Sequence, residues 1–185
     1  MNTTGIIILL IVAAVIIVAA LAFMVVRKRR SQQLRERFGP EYDRVVNREG
    51  DAAKAERVLA FRQQRREKFN VRNLSPTDRS SFRYRWNEVQ SRFVDDPKGA
   101  VTLAESLVTD LMQARGYPIA DFDQQAADIS VDHPIVVQNY RAAHDIALRH
   151  GRGQASTEDL RNAMVHYRVL FQELLDDNQP QRKGA

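Results

Sequence analysis

Apolar positions along this chain follow two regimes. From Gly5 to Val26, 22 consecutive residues (GIIILLIVAAVIIVAALAFMVV) carry no charge and no strongly polar group. Beyond them, apolar residues recur singly or in pairs, at helical intervals, among charged ones. At about 1.5 Å per residue, a helix over the first stretch covers the roughly 30 Å hydrocarbon core of a bilayer. One segment cannot close a barrel, so only a helix satisfies its backbone in lipid, whatever its β-branched residues would favour in water. The pattern predicts a transmembrane helix over 5–26, with residues 1–4 as a short extracytoplasmic N-terminus.

A cleaved signal peptide competes with that assignment, because Ala20-Leu21-Ala22 has the small-x-small form of a cleavage site. Three features oppose it. Met1 to Thr4 carry no Lys or Arg, the apolar run exceeds the roughly 7–15 residues of a signal core, and four basic residues follow it directly.

From residue 27 to 74 the pattern is helical but thinly apolar, and Gly39-Pro40 and Gly50 interrupt it. Leu34, Phe38, Tyr42, Val45 and Val46 make a partial stripe. Ala52, Ala55, Val58, Leu59 and Phe61 make a narrow one, ahead of the basic run from Arg62 to Lys68. Such a stripe fits an oligomer seam or a helical stalk with a solvated charged face. It lacks the repeated heptads of a coiled coil, and the stalk is preferred.

Sharper punctuation begins at Ser75-Pro76-Thr77-Asp78, which joins an N-cap residue, a proline at the first helical position and an acid at the third. Phe82, Trp86, Val89 and Phe93 then share one face. Asp96-Pro97 opens a second helix through Val101, Ala104, Val108, Leu111 and Met112, widened by Leu103 and Leu107. Gly116 and Pro118 close it. A short helix is expected over Asp121–Ile129 through Phe122, Ala126 and Ile129.

A third long helix is expected from Asp132-His133-Pro134 to Gly151, with Val136 or Val137, Tyr140, Ala143, His144, Ala147 and Leu148 inward. Ser156-Thr157-Glu158-Asp159 caps the last, whose stripe is Leu160, Met164, Tyr167, Phe171 and Leu174. No segment alternates with period two. The fold class is therefore all-α: a transmembrane helix, a juxtamembrane helical stalk (27–74) and a compact antiparallel helix bundle (75–177). Residues 178–185 read as a disordered tail.

Charge gives the anchor a direction. Arg27, Lys28, Arg29 and Arg30 follow the apolar run; residues 31–74 hold 11 basic and 7 acidic side chains, and residues 75–185 hold 13 and 16. Basic residues beside a span stay in the cytoplasm. The expected localisation is the inner (plasma) membrane of a bacterium, single-pass, N-terminus outside and C-terminal domain cytoplasmic. Arg27, Lys28, Arg29 and Arg30 are the residues expected to contact anionic lipid headgroups, at about 1 kcal/mol each.

Candidate chemistry is sparse. With no cysteine, disulfides, thiolate catalysis and Cys-ligated metals are excluded. Among the histidines, His144-Asp145 is like the paired His-Asp of helical metal phosphohydrolases, and His133 and His166 are the further candidates for a metal site. His133 lies only eleven residues before His144, beside a helix-initiating proline, and little chain remains beyond Asp145 to complete a site. Core or cap roles are preferred, and His144 requires a polar partner such as Tyr167 or an acid of a neighbouring helix. Phe82, Tyr84, Trp86 and Phe93 interleave with Arg79, Arg83, Arg85 and Arg92, which superficially fits base stacking. Helical spacing explains the alternation more simply, so nucleic acid is not expected as a partner. No G-x-S-x-G turn or phosphate-binding glycine loop occurs. No catalytic residue, cofactor site or cofactor is expected.

Several phrases resemble those of a family of uncharacterised bacterial membrane-anchored proteins with one N-terminal transmembrane helix and a helical domain. They are Arg37-Phe38-Gly39-Pro40-Glu41-Tyr42, Arg92-Phe93-Val94-Asp95-Asp96-Pro97, Ala114-Arg115-Gly116-Tyr117-Pro118, Ser130-Val131-Asp132-His133-Pro134, Asn139-Tyr140-Arg141-Ala142-Ala143-His144 and Met164-Val165-His166-Tyr167-Arg168. The resemblance implies a bacterial source and an anchored architecture, and it transfers no functional residue. The expected function is a membrane-tethered cytoplasmic helical interaction or scaffold module, with a protein partner or self-association. The alternative is a small metal-dependent hydrolase using His and Asp gathered from several helices.

Overall fold

A computed structural model of the chain describes residues 3–176, and the expected tail at 178–185 lies outside them. Among the described residues the chain is all-α, with eight helices and no strand. It divides into two compact units, one ending at Leu59 and the other beginning at Ala60, ahead of the expected boundary at Ser75.

In the first unit, α1 (Thr3–Phe38) is one unbroken helix of 36 residues. Its apolar part is long enough to cross a membrane, and every residue from Ile11 to Val26 is exposed. The helix does not stop at the basic cluster, because arginine and lysine are good helix formers. It ends at Gly39, whose φ of 47° only glycine adopts readily. Pro40 then starts α2 (Pro40–Glu49), which ends at Gly50 in the left-handed conformation (φ 69°). Leu34, Phe38, Tyr42 and Val45 are buried as their spacing predicts. The Tyr42 hydroxyl donates to Glu56 at 3.1 Å, and the Arg35 guanidinium lies 4.9 Å from the Tyr42 ring centroid.

Helix α3 (Ala52–Glu67) buries Ala55 and Leu59, whereas Ala52 and Phe61, placed on the same stripe by periodicity, are exposed. Its last two turns belong to the second unit. That unit is a bundle of α4 (Pro76–Arg92), α5 (Pro97–Ala114), α7 (Val137–Gly151) and α8 (Thr157–Asp176), with the short α6 (Phe122–Ile129) beside α7. Helices α4 and α5 run antiparallel, as do α7 and α8. The C-termini of α5 and α8 meet, where Arg115 donates to the Leu174 carbonyl at 2.9 Å.

The helix starts follow their caps. Ser75 accepts from the Asp78 N–H at 3.0 Å, Asp96 from Gly99 at 2.9 Å, Asp121 from Gln124 at 2.9 Å and Ser156 from Asp159 at 3.1 Å. Each satisfies an N–H that the first helical turn leaves open. The stripe of α8 and, in α4, Phe82, Trp86 and Val89 are buried as expected, Phe93 being half-buried, and Trp86 stacks on Phe171 with centroids 4.6 Å apart. Truncating so large a core side chain costs about 3–5 kcal/mol.

Three expectations in the bundle need correction. Leu103 and Leu148 are exposed, and Ile146 takes the inward place in α7. Helix α7 begins at Val137, because Val131 to Val136 form turns before it. Gly151 is still helical, and Gly153 supplies the positive φ (73°) that turns the chain.

Candidate functional site

The four residues after the apolar stretch, Arg27, Lys28, Arg29 and Arg30, lie within α1 and are all exposed. Successive helical residues are offset by about 100°, so four in a row place cations around the whole circumference. The result is a collar at the end of the apolar segment, suited to meeting headgroups on every side of the helix.

The candidate metal ligands engage separate partners. His133 Nδ1 lies 3.2 Å from Oε1 of Glu173, His144 Nδ1 2.7 Å from Oε1 of Glu105, and His166 Nδ1 2.8 Å from Oδ1 of Asn139. Asp145 pairs with Arg149 one turn on, at 3.4 Å. The structure does not bring these four together, and no group of three or more metal-ligating side chains occurs among the described residues.

His144 occupies the most elaborate of these surroundings. It projects from α7 to Glu105 of α5, and its ring stacks on Phe122 of α6. Tyr140, one turn earlier, donates to Gln125 at 2.8 Å. Burial first, and then the Glu105 carboxylate, push the hydroxyls of Tyr140 and Tyr167 well above the ordinary tyrosine range. The acid therefore closes a polar seam in the bundle, with a His–Glu pair at its half-buried margin.

A second constellation was missed by periodicity. The run from Arg62 to Lys68 is only in part a solvated face: Gln64, Glu67 and Lys68 are exposed, but Arg62 is buried and Arg65 and Arg66 are half-buried. Arg62 donates to Ser130 at 3.1 Å, Arg65 grips both oxygens of Asp128 at 2.9 and 3.4 Å, and Arg66 pairs with Asp132. Gln124 also donates to Asp128, and Tyr117 to Asp132, each at 2.7 Å. Burial, with the Asp132 charge second, raises the Tyr117 pKa. Arginines at i, i+3 and i+4 share a helix face, and Asp128 and Asp132 stand four apart. That shared face was the available signal, but nothing local joins residues more than sixty apart.

The aromatic–arginine alternation of α4 resolves into core and surface. Phe82 and Trp86 are buried, while Arg85 pairs with Asp110 at 2.6 Å and Arg92 with Asp96 at 3.1 Å. No family model, curated protein or solved structure matches the chain.

Proposed function

We propose that the chain is a single-pass membrane protein of the bacterial plasma membrane, N-terminus outside, holding a helical interaction module at the cytoplasmic face. The observation that carries this reading is the continuity of α1: its apolar segment runs without a break into the collar of Arg27, Lys28, Arg29 and Arg30. Basic residues on one side of a span set its orientation and attract anionic headgroups. A well-capped bundle on that side supports a tethering role, in which the anchor fixes where a protein partner or a second copy of the chain is met.

The test has two arms. Reporter fusions at the C-terminus establish orientation, with cytoplasmic activity expected; an extracytoplasmic signal overturns it. In-cell crosslinking read by mass spectrometry then reports association. Crosslinks from the bundle to one defined partner or to itself are expected, and a chain that crosslinks to neither loses the interaction role.

A further inference from the structure

The last two turns of α3 are held to the bundle chiefly by polar groups. Arg62 reaches Ser130, Arg65 reaches Asp128 and Arg66 reaches Asp132, all on α6 or the turns that follow it. No side chain from residues 60–67 belongs to the apolar core of the described residues, and Phe61, the one large apolar residue there, is 65% exposed. Just beyond, the chain is fixed independently. Phe69 and Val71 pack against the core, the Arg72 N–H donates to the Arg115 carbonyl at 2.9 Å, and the Arg72 guanidinium donates to that of Ala114 at 3.2 Å. The exposed Glu67 and Lys68 lie between the two attachments. Buried charged pairs return little net stability, because desolvation offsets most of their attraction. A segment held by such pairs, with few apolar contacts, opens locally while the rest stays folded. A short hinge then favours exchange, since the freed element meets the same acceptor on a second copy.

We infer that Asp128, Ser130 and Asp132 form a self-association site, on which the α3 of a second copy docks in place of the chain's own. The occupant follows from the chemistry of the acceptor. Two carboxylates and a hydroxyl match a helix that carries arginines at i, i+3 and i+4, and an identical chain supplies that helix in register. The acceptor is also preformed: Gln124 and Tyr117, each at 2.7 Å, hold the two carboxylates in place whichever copy brings the arginines. The inference rests on the tethered reading above, because two copies anchored in one bilayer meet at high effective concentration.

The test mixes two variants of the full chain in vesicles of phosphatidylcholine and phosphatidylglycerol. One lacks the arginines (Arg62→Gln, Arg65→Gln, Arg66→Gln) and the other lacks the acceptor charges (Asp128→Asn, Asp132→Asn). The chain has no cysteine, so Val94→Cys, at a site 83% exposed between α4 and α5, carries a donor dye in one and an acceptor dye in the other. Neither variant retains the charged pairs within itself, but the mixture holds one intact α3 and one intact acceptor. Energy transfer is expected in the mixture and not in either variant alone. Amides 62–67 of the chain with intact arginines should regain in the mixture the protection they lose alone. Transfer no greater than in the single variants overturns the exchange, and so does transfer without renewed protection. A second arm needs no buried substitution: a synthetic peptide of residues 52–67 in excess should abolish transfer between labelled parent chains, and undiminished transfer overturns the exchange. Transfer between parents without complementation leaves self-association to another surface; its absence from both removes self-association as well.

Discussion

Nδ1 of His144 lies 2.7 Å from Oε1 of Glu105, while the same imidazole stacks on Phe122 with ring centroids 3.6 Å apart. The pair links α5 to α7, and the stacking adds α6. A histidine on an otherwise apolar face is thereby explained without catalysis: it satisfies a carboxylate that the packing of three helices has drawn partly out of water. Removing either partner exposes the other to the cost of an unmatched polar group.

His144→Leu should therefore destabilise the bundle by about 1–3 kcal/mol although leucine is the more hydrophobic residue. Glu105→Leu combined with His144→Leu should recover part of the loss, because neither polar group is then left alone. Denaturant unfolding of the detergent-solubilised chain measures both. A His144→Leu variant as stable as the parent would show that the pair is a surface contact of no consequence.

Tyr117, Tyr140 and Tyr167 are all held above the ordinary tyrosine value of 10.0, burial being the largest cause in each. A raised folded-state pKa means that the unfolded chain loses its protons first as pH rises. Stability from these groups is complete below the ordinary value and is lost above it. Near-ultraviolet titration should show their tyrosinate absorbance appearing together with loss of helical circular dichroism. Smooth titration of all five tyrosines in a fully helical chain would contradict the buried polar seam.

Much of the fold was legible because punctuation and periodicity agreed. Ser75-Pro76, Asp96-Pro97, Asp121 and Ser156 each start a helix where a side chain caps the first turn, and the stripe of α8 and all of the α4 stripe but the half-buried Phe93 are buried as read. Legibility failed where partners are distant in sequence. The stripe through Phe61 and the charged run after it were read from helix geometry alone, which cannot see that Asp128, Ser130 and Asp132 wait on the bundle. Arg115 is another case: a basic residue at a helix end reads as solvated, yet its guanidinium reaches the Leu174 carbonyl and the residue is almost wholly buried. Of the candidate site, the helical and exposed placement of Arg27–Arg30 follows from adjacency to the apolar run alone. The partner of His144 was legible as an acid of another helix, but not as Glu105.

Gly116 closes α5 with a φ of 93°, and a Cβ there would stand 2.2 Å from the backbone oxygen of Asn70. The neighbouring strand of chain is fixed, since the Arg72 N–H donates to the Arg115 carbonyl at 2.9 Å. Gly116→Ala combines a strained dihedral with a collision against backbone, so a loss of about 2–4 kcal/mol is expected. Gly151→Ala is the control, because that glycine is helical with open space around its Cα, and it should be neutral or mildly stabilising. Thermal melts that rank the two variants equally would rule out this packing of residues 70–72 on α5.

Ser156 and Asp159 form a reciprocal cap on α8: the Asp159 N–H donates to Ser156 Oγ at 3.1 Å, and the Ser156 N–H donates back to the carboxylate at 2.8 Å. Hydrogen bonding from the Ser156 hydroxyl is the largest cause that lowers the Asp159 pKa, followed by the backbone bond. Ser156→Ala should cost about 1 kcal/mol at neutral pH. A depressed carboxylate contributes stability above its ordinary value of 3.8 and loses it as pH falls through the lower folded-state value. The difference between Ser156→Ala and parent, followed by melting temperature, should therefore narrow in acid; a constant gap would assign the cap to the hydroxyl alone.

Asp132 takes the Arg66 guanidinium and the Tyr117 hydroxyl together. Asp132→Asn keeps an oxygen for Tyr117 but removes the charge opposite Arg66, whose side chain is only 17% exposed. An exposed ion pair would change stability by less than about 1 kcal/mol and would weaken in salt. A half-buried one leaves an uncompensated cation, so a loss of about 1–3 kcal/mol is expected. Salt should not reproduce it in the parent, because ions screen a buried pair poorly. The loss should also appear as faster amide exchange over the last two turns of α3, which these arginines hold to α6 and the loop after it. Unchanged stability and unchanged exchange at residues 60–67 would show that the arginines only decorate a surface, and Ala60 would no longer mark the start of the bundle.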